Sequence, residues 1–243
     1  MPRVGIVSQA RMTSTRLQGK VLRAAGGQPL LAWHVARLRQ AGAPVYLAIT
    51  TNAEDDPLAD FAAREGLLFV RGSEADVLAR YQQCAAAFDL DVIVRVTSDC
   101  PLIAPELIAE GLAAYRAAAD PGLYASNAAP RRSYPRGFDY EIFSRQLLEE
   151  AFAHATRPGD REHVTPYLHQ NRSGQVRFLN LARAADASQY RLTVDTPADF
   201  ELIRILLEDY GAGALNGEEL IALLAAHPEL VAINAEVEQK GHD

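Results

Sequence analysis

Through the first half of the chain, short apolar runs alternate with stretches whose apolar positions recur at helical spacing. VGIV (4–7) predicts a first strand, and PLLAWHVARLRQAG (29–42) a helix that opens on Pro29 and stops at Gly42. VYLAIT (45–50) reads as a buried strand, DPLADFAAREG (56–66) as a helix ended by Gly66, and LLFVRG (67–72) as the third strand. EADVLARYQQCAAAFD (74–89) predicts the next helix, DVIVRVT (91–97) the fourth strand, and Pro105 to about Ala118 a further helix. Strands and helices taking turns in this way predict a parallel sheet covered on both faces. Such sheets bind ligands beyond the carboxyl ends of their strands, where 8–20, 71–74 and 97–101 emerge.

The second half is less regular. LYASN (123–127) predicts a strand, RRSYPRGFDYEIF (131–143) a loop entering another strand, and 144–155 and 160–171 two helices. Strands are predicted near 176–181 and 190–194. An amphipathic helix is predicted over 197–211, with Phe200, Ile203, Leu206 and Leu207 on one side. GEELIALLAAH (217–227) predicts a short helix before a fraying charged tail. The mixed connections imply some antiparallel strands. With no repeat, low-complexity tract or linker, one domain over 1–243 is expected, and within it a lid, acceptor or dimerisation subdomain near 128–175.

Composition narrows the class. A chain of 243 residues, 49% hydrophobic, can bury a sizeable core. Its net charge of −7 argues against general binding to nucleic acid or an anionic membrane. Two cysteines, Cys84 and Cys100, are too few for a disulfide framework and read as reduced thiols. No apolar run is long enough to span a bilayer, and VGIV is too short for a signal peptide, so a cytoplasmic location is expected.

One loop departs from the chain's habits. SQARMTSTRLQGKVL (8–22) holds Arg11, Arg16 and Lys20, and Lys20 and Lys240 are the only lysines against 22 arginines. The loop has neither a dinucleotide fingerprint nor a Walker motif, since Val21 stands where a P-loop needs Ser or Thr. What it offers is three long cations and the hydroxyls of Thr13, Ser14 and Thr15. Arginine forks hold phosphate oxygens in fixed geometry, whereas lysine is a compact charge that can follow a moving phosphoryl group. These residues predict a triphosphate site.

Carboxylates follow two other strands. Asp99, in VRVTSDCPLIAPE, points into the same cleft, and a carboxylate beside a triphosphate suits an intervening divalent cation such as Mg²⁺. Asp195, in YRLTVDTPADFELI, is spare because Thr196 before Pro197 can cap the next helix alone. Asp139 and Glu141 share a strand face by period two; they line an acceptor pocket, contact the metal in place of Asp195, or form an edge-strand charge pair. In FVRGSEADVLARY, Ser73 is a candidate helix cap with Asp76 three residues on, which leaves Arg71 unexplained. In GDREHVTPYLHQN, Arg161 and His163 either bind an anionic acceptor group or belong to a surface cluster around a cap at Asp160. His34, His154 and His169 read as structural or exposed.

The loop resembles that of nucleotide-sugar pyrophosphorylases and, more narrowly, that of CMP-sugar synthetases and SpsF-type cytidylyltransferases, where the pattern runs R-x-x-S-x-R-L-P-G-K. Gln18 replaces the proline. By this resemblance Arg11, Ser14 and Lys20 approach the nucleotide and its phosphates, with Arg16 in support. The resemblance extends to R-G-S-x-x-D-V-L, implying that Arg71 and Ser73 lie near the nucleotide, and to S-D-C-P, which gives Asp99 to the metal with Thr97 close by. V-D-T-P-E-D, with Ala198 for Glu, gives Asp195 to the metal; Y-P-x-G-L-D-x-E and D-R-E-H-V-T-P place Asp139, Glu141, Arg161 and His163 at the acceptor. The implied protein is a homodimeric, Mg²⁺-dependent cytidylyltransferase that joins CTP to a sugar or sugar acid. Its implied fold is an α/β, GT-A-like (Rossmann-like) three-layer sandwich with a mixed, mainly parallel sheet. A different nucleotide, a sugar-phosphate acceptor, or a nucleotide-sugar-binding glycosyltransferase are the competing readings.

Overall fold

The computed structural model describes residues 2–239, so Lys240 lies outside it. The chain runs through β1 (Val4–Gln9), β2 (Ala24–Ala25), β3 (Gln28–Pro29), α1 (Leu30–Leu38), β4 (Val45–Thr50), α2 (Asp56–Arg64), β5 (Leu68–Gly72) and α3 (Val77–Ala87). It continues through β6 (Val92–Thr97), α4 (Pro105–Ala118), β7 (Leu123–Ser126), β8 (Glu141–Ser144), α5 (Arg145–His154), α6 (Pro158–His163) and α7 (Pro166–His169). The last elements are β9 (Arg177–Asn180), α8 (Pro197–Glu208), α9 (Gly217–Ala226) and α10 (Pro228–Ala232).

Seven strands form one sheet in the order β5-β4-β1-β6-β8-β7-β9. Only β8 runs against its neighbours, pairing antiparallel with both β6 and β7. The sheet is therefore mixed and mainly parallel, as the sequence predicts. Side-chain alternation sends Ile6, Leu47 and Val94 into the core on one face and Val7, Ala48 and Ile93 into the core on the other. Helices α1, α4 and α8 bury residues in the first core, α3 and α5 in the second, which gives three layers. From β1 the chain builds outward through β4 and β5, then returns to the far side of β1 with β6. The carboxyl ends of β1 and β6 are thus a topological switch point, with Gln9 in register beside Thr97.

Several expectations are corrected. The helix over 160–171 is two short helices, because Val164 adopts φ 70 between α6 and α7. The strand near 190–194 is an extended segment with one bridge, Arg136 to Arg191. Helix α3 is capped by Asp76, whose carboxylate accepts from the Ala79 N–H at 2.9 Å, and not by Ser73. The hairpin β2–β3, turned by Gly26 and Gly27 at φ 58 and 82, was not anticipated. Nor does the tail simply fray: α10 follows α9, and buried Asn234 donates to the Arg191 carbonyl and to Asp199. The segment 128–175 contributes β8 to the interior of the sheet and α6 and α7 beside it. No helix among the described residues is long and apolar enough to cross a membrane.

Buried His34 ties this scaffold together. Its Nδ1 donates to the Cys100 carbonyl at 2.8 Å, so its Nε2 accepts from the Ser8 hydroxyl at 2.9 Å. Burial lowers its pKa to about 4. Since its native pKa lies below the unfolded value, the folded state binds fewer protons, and stability falls as pH drops from about 6.5 towards 4. From this group the loss should reach about 3 kcal/mol. Urea melts of His34→Gln between pH 7 and 4 should show a shallower pH dependence than the parent; parallel curves would contradict the assignment.

Candidate active site

Strand β1 delivers the basic loop and β6 delivers the turn carrying Asp99, side by side. Leu17 and Val21 are buried and anchor the loop, while the Gly19 N–H donates to the Met12 carbonyl at 2.9 Å and closes it. Gly19 is left-handed at φ 64, and the chain then turns tightly through Lys20–Leu22. Asp55 accepts from the Met12 N–H at 2.7 Å, and Glu74 from the Thr13 hydroxyl, so the loop is also tied from the side.

Asp195 arrives by backbone bonding. The Val194 N–H donates to the Asp99 carbonyl at 2.8 Å, and the Leu192 N–H to the Arg136 carbonyl at 2.7 Å. The second contact needs Gly137: it lies at φ 106, and a Cβ there would sit 2.7 Å from the Leu192 carbonyl carbon. Three stretches distant in sequence are thus laid backbone against backbone.

Lys20 Nζ stands between the two aspartates, 2.9 Å from Asp99 Oδ2 and 2.8 Å from Asp195 Oδ1. The other oxygen of Asp195 faces Arg16 at 3.1 Å and Arg191 at 2.7 Å, and Arg191 also pairs with Asp199 at 2.8 Å. Three cations therefore face three carboxylates. Burial alone would raise the pKa of Asp99, but the charge and hydrogen bonds of Lys20, helped by Thr97, hold it well below the carboxylate range. Burial likewise opposes the charge on Lys20, and the two aspartates outweigh it and raise its pKa. Asp199 is fully buried and reciprocates the Thr196 cap of α8, so its role is structural.

Two adjoining cavities meet here. The first, about 260 Å³, is lined by Arg11, Ser14, Arg16, Lys20, Arg80 and Thr97, among others. The second, about 550 Å³, is lined by Arg132, Arg136, Asp139, Glu141, Thr165 and His169. Arg16, Thr97, Asp99, His163 and Asp195 line both. The aspartate pair offers oxygen ligands of the kind Mg²⁺ takes, and such sites commonly complete their shell with substrate phosphates and water. No group of three or more His, Cys, Asp or Glu residues suited to a metal occurs among the described residues, so a metal here would need those further ligands.

Not every predicted site residue joins this centre. Arg71 donates to the carbonyls of Thr50 and Asn52, both at 2.8 Å, and pairs with Asp56, which uses its fork to brace the turn after β4. Neither it nor exposed Ser73 lines either of these two cavities. Arg161 grips the α3 cap Asp76 at 2.5 and 3.0 Å and lies over the Phe152 ring, so it joins α6 to α3, and it lines neither of the two cavities. Asp139 is held by both terminal nitrogens of Arg132. Glu141 is buried against Arg95, the Tyr124 hydroxyl and the Thr165 hydroxyl; β8 is interior, so no edge-strand pair exists. Burial would raise the Glu141 pKa, yet Arg95 and the hydroxyl donors keep it lowered.

Sequence reasoning missed Arg80, Arg136 and Arg191. Arg191 could have been found as a cation four residues before Asp195 and eight before Asp199. Arg136 makes no ion pair among the described residues; burial and the neighbouring Arg132 charge lower its pKa.

Comparisons with known proteins identify the family of the chain. A family model described as cytidylyltransferase matches residues 4–226. The spore coat polysaccharide biosynthesis protein SpsF of Bacillus subtilis is 34% identical over 232 residues, covering 92% of this chain and 94% of that protein. A 3-deoxy-manno-octulosonate cytidylyltransferase of Xanthobacter autotrophicus is 36% identical over 115 residues, 46% of this chain and 45% of that one. The solved structure of a cytidylyltransferase from Leptospira borgpetersenii is similar at a TM-score of 0.91 and 30% identity, covering 99% of this chain and 100% of that chain. With a family model matching residues 4–226 and a relative 34% identical over 92% of its length, the chain belongs to the cytidylyltransferase family.

Proposed function

We propose that the protein transfers CMP from CTP to a hydroxyl of a small sugar or sugar acid, releasing pyrophosphate, with Mg²⁺ as the metal. The observation that carries this reading is the meeting of Lys20, Asp99 and Asp195 at the junction of two cavities, one for each substrate. The cluster of three cations and three carboxylates is itself neutral, so a polyanion bound there is better balanced when a further cation enters with it. Asp99 and Asp195 would hold Mg²⁺, which supplies Lewis-acid polarisation of the phosphoryl oxygens when bound.

In the proposed reaction the acceptor oxygen forms a bond to the α-phosphorus, the bond to the β-phosphate oxygen breaks, and the acceptor proton passes to solvent. Lys20, relieved of its two carboxylates, turns its ammonium to the β- and γ-phosphates beside Arg11, Arg16 and the Ser14 hydroxyl. Once turned to the phosphates, these charges stabilise the departing pyrophosphate. On the other side, Arg136 takes the carboxylate of a sugar acid, with Asp139 and His163 at the same wall. Glu141, saturated by its own partners, shapes that wall and accepts no proton. A homodimeric state belongs to the proposal by resemblance, and a cytoplasmic location by the sequence pattern.

A pyrophosphate-release assay over the four nucleoside triphosphates and a panel of sugar acids tests it, with release expected for CTP. Release with another nucleotide alone would refute the donor. Lys20→Ala should lower kcat by roughly two to three orders of magnitude, the scale for one preorganised donor; a change within twofold would remove the loop from the mechanism. Asp99→Asn should abolish the Mg²⁺ dependence of CTP binding seen by calorimetry, and an unchanged titration would dismiss the metal role. Arg136→Met should raise KM for the sugar acid about 10- to 100-fold, the worth of a charge-assisted bond, with KM for CTP unaltered. Equal effects on both would point to a folding defect instead.

A further inference from the structure

Helix α3 turns Val77, Leu78, Tyr81, Cys84 and Ala85 into the core, and Arg80 falls on that same buried face. An arginine at a position where helical periodicity calls for an apolar residue needs a partner. Arg80 is 2% exposed, and its Nε and Nη1 atoms are buried without any hydrogen-bond partner among the described residues. The carboxylates near it are committed elsewhere. Asp55 accepts from the Met12 N–H, the Thr50 N–H and the Thr50 hydroxyl; Glu74 accepts from Thr13, Asn52 and Arg11. Burial lowers the Arg80 pKa, and the like charge of Arg11 adds to it. Yet Arg80 lines the first cavity together with Lys20 and Asp99.

Burying an unpaired charge is strongly unfavourable unless something compensates it. Around Lys20 the charges already balance and Arg11 pairs with Glu74, so among the described residues Arg80 is the cation of this cavity without a counter-charge. The backbone also makes room for it: a Cβ at Gly72 would lie 2.9 Å from Arg80 Cγ and 3.0 Å from Gln83 Oε1. We infer that Arg80 is a polyphosphate-binding residue whose buried guanidinium donates to phosphate oxygens in the first cavity and is stabilised only when that anion is present. The inference rests on the nucleotide reading of the cleft and adds a residue to it. It has a consequence that a packing role does not: removing the charge should strengthen the free protein while weakening anion binding.

The test compares the parent, Lys20→Ala, Arg80→Met and Gly72→Ala by melting temperature and by calorimetric titration with magnesium pyrophosphate and, separately, with cytidine. Arg80→Met should raise the melting temperature of the free protein by about 2–4 °C. It should weaken pyrophosphate binding about 30- to 100-fold, the scale for charge-assisted bonds, and leave cytidine binding within twofold. Gly72→Ala should weaken pyrophosphate several-fold with every charge retained. Pyrophosphate affinity within twofold of the parent in Arg80→Met overturns the inference. So does a lower melting temperature with both ligands weakened, which would assign Arg80 to packing. If the parent binds no pyrophosphate, the reading of the cleft falls; if Lys20→Ala weakens it and Arg80→Met does not, only the Arg80 inference falls.

Discussion

One ammonium group between two carboxylates organises this molecule's functional half. Asp99 follows strand β6 and Asp195 an extended segment distant in sequence, and the two would repel each other if brought together ionised and alone. Lys20 allows them to meet, 2.9 and 2.8 Å from its nitrogen. A lysine suits the place because its charge is compact and can sit between two single oxygens, whereas an arginine fork prefers both oxygens of one carboxylate. The arginines serve that second purpose at the periphery, where Arg16 and Arg191 approach the outer oxygen of Asp195. In a chain that otherwise relies on arginine, the single described lysine stands where a point charge is required.

The scaffold supports this contact through backbone geometry more than side-chain packing. Parallel pairing of β1 with β6 sets the loop and the Asp99 turn on adjacent strands. The Val194 N–H then fixes the Asp195 segment to the Asp99 carbonyl, and Gly137 lets a fourth stretch lie against Leu192. His34 holds the Cys100 carbonyl next to Asp99 from below. Backbone bonds of this kind tolerate side-chain change.

Much of this was legible in the sequence, for identifiable reasons. Strands β1, β4 and β6 are mostly apolar, as buried parallel strands are, with Arg95 the one charge inside them, and Gly or Pro marked the helix ends beside them. The loop stood out by its charges, and Asp99 and Asp195 by their position after strands. Segment 190–194 misled because its extended backbone is bonded only at isolated points, to Arg136 and to Asp99, and never enters a ladder. Arg71 and Arg161 misled for another reason. Their charge and their place near strand ends are equally suited to bracing a turn or a helix cap, and only tertiary contacts with Thr50, Asn52 and Asp76 decide between the uses. Arg80 left a readable signal, a charge on the core face of α3, although helix prediction treats such a residue as an ordinary surface arginine.

The central claim is that Lys20 keeps the place of a metal cation and yields it when nucleotide arrives. A crystal grown with Mn²⁺ and a non-hydrolysable CTP analogue tests this directly through anomalous scattering. The account predicts a manganese peak bound by Asp99 and Asp195, with Lys20 Nζ moved to hydrogen-bond distance of the phosphates. A structure in which nucleotide is bound while Lys20 still bridges the two aspartates, and manganese lies elsewhere, would contradict it.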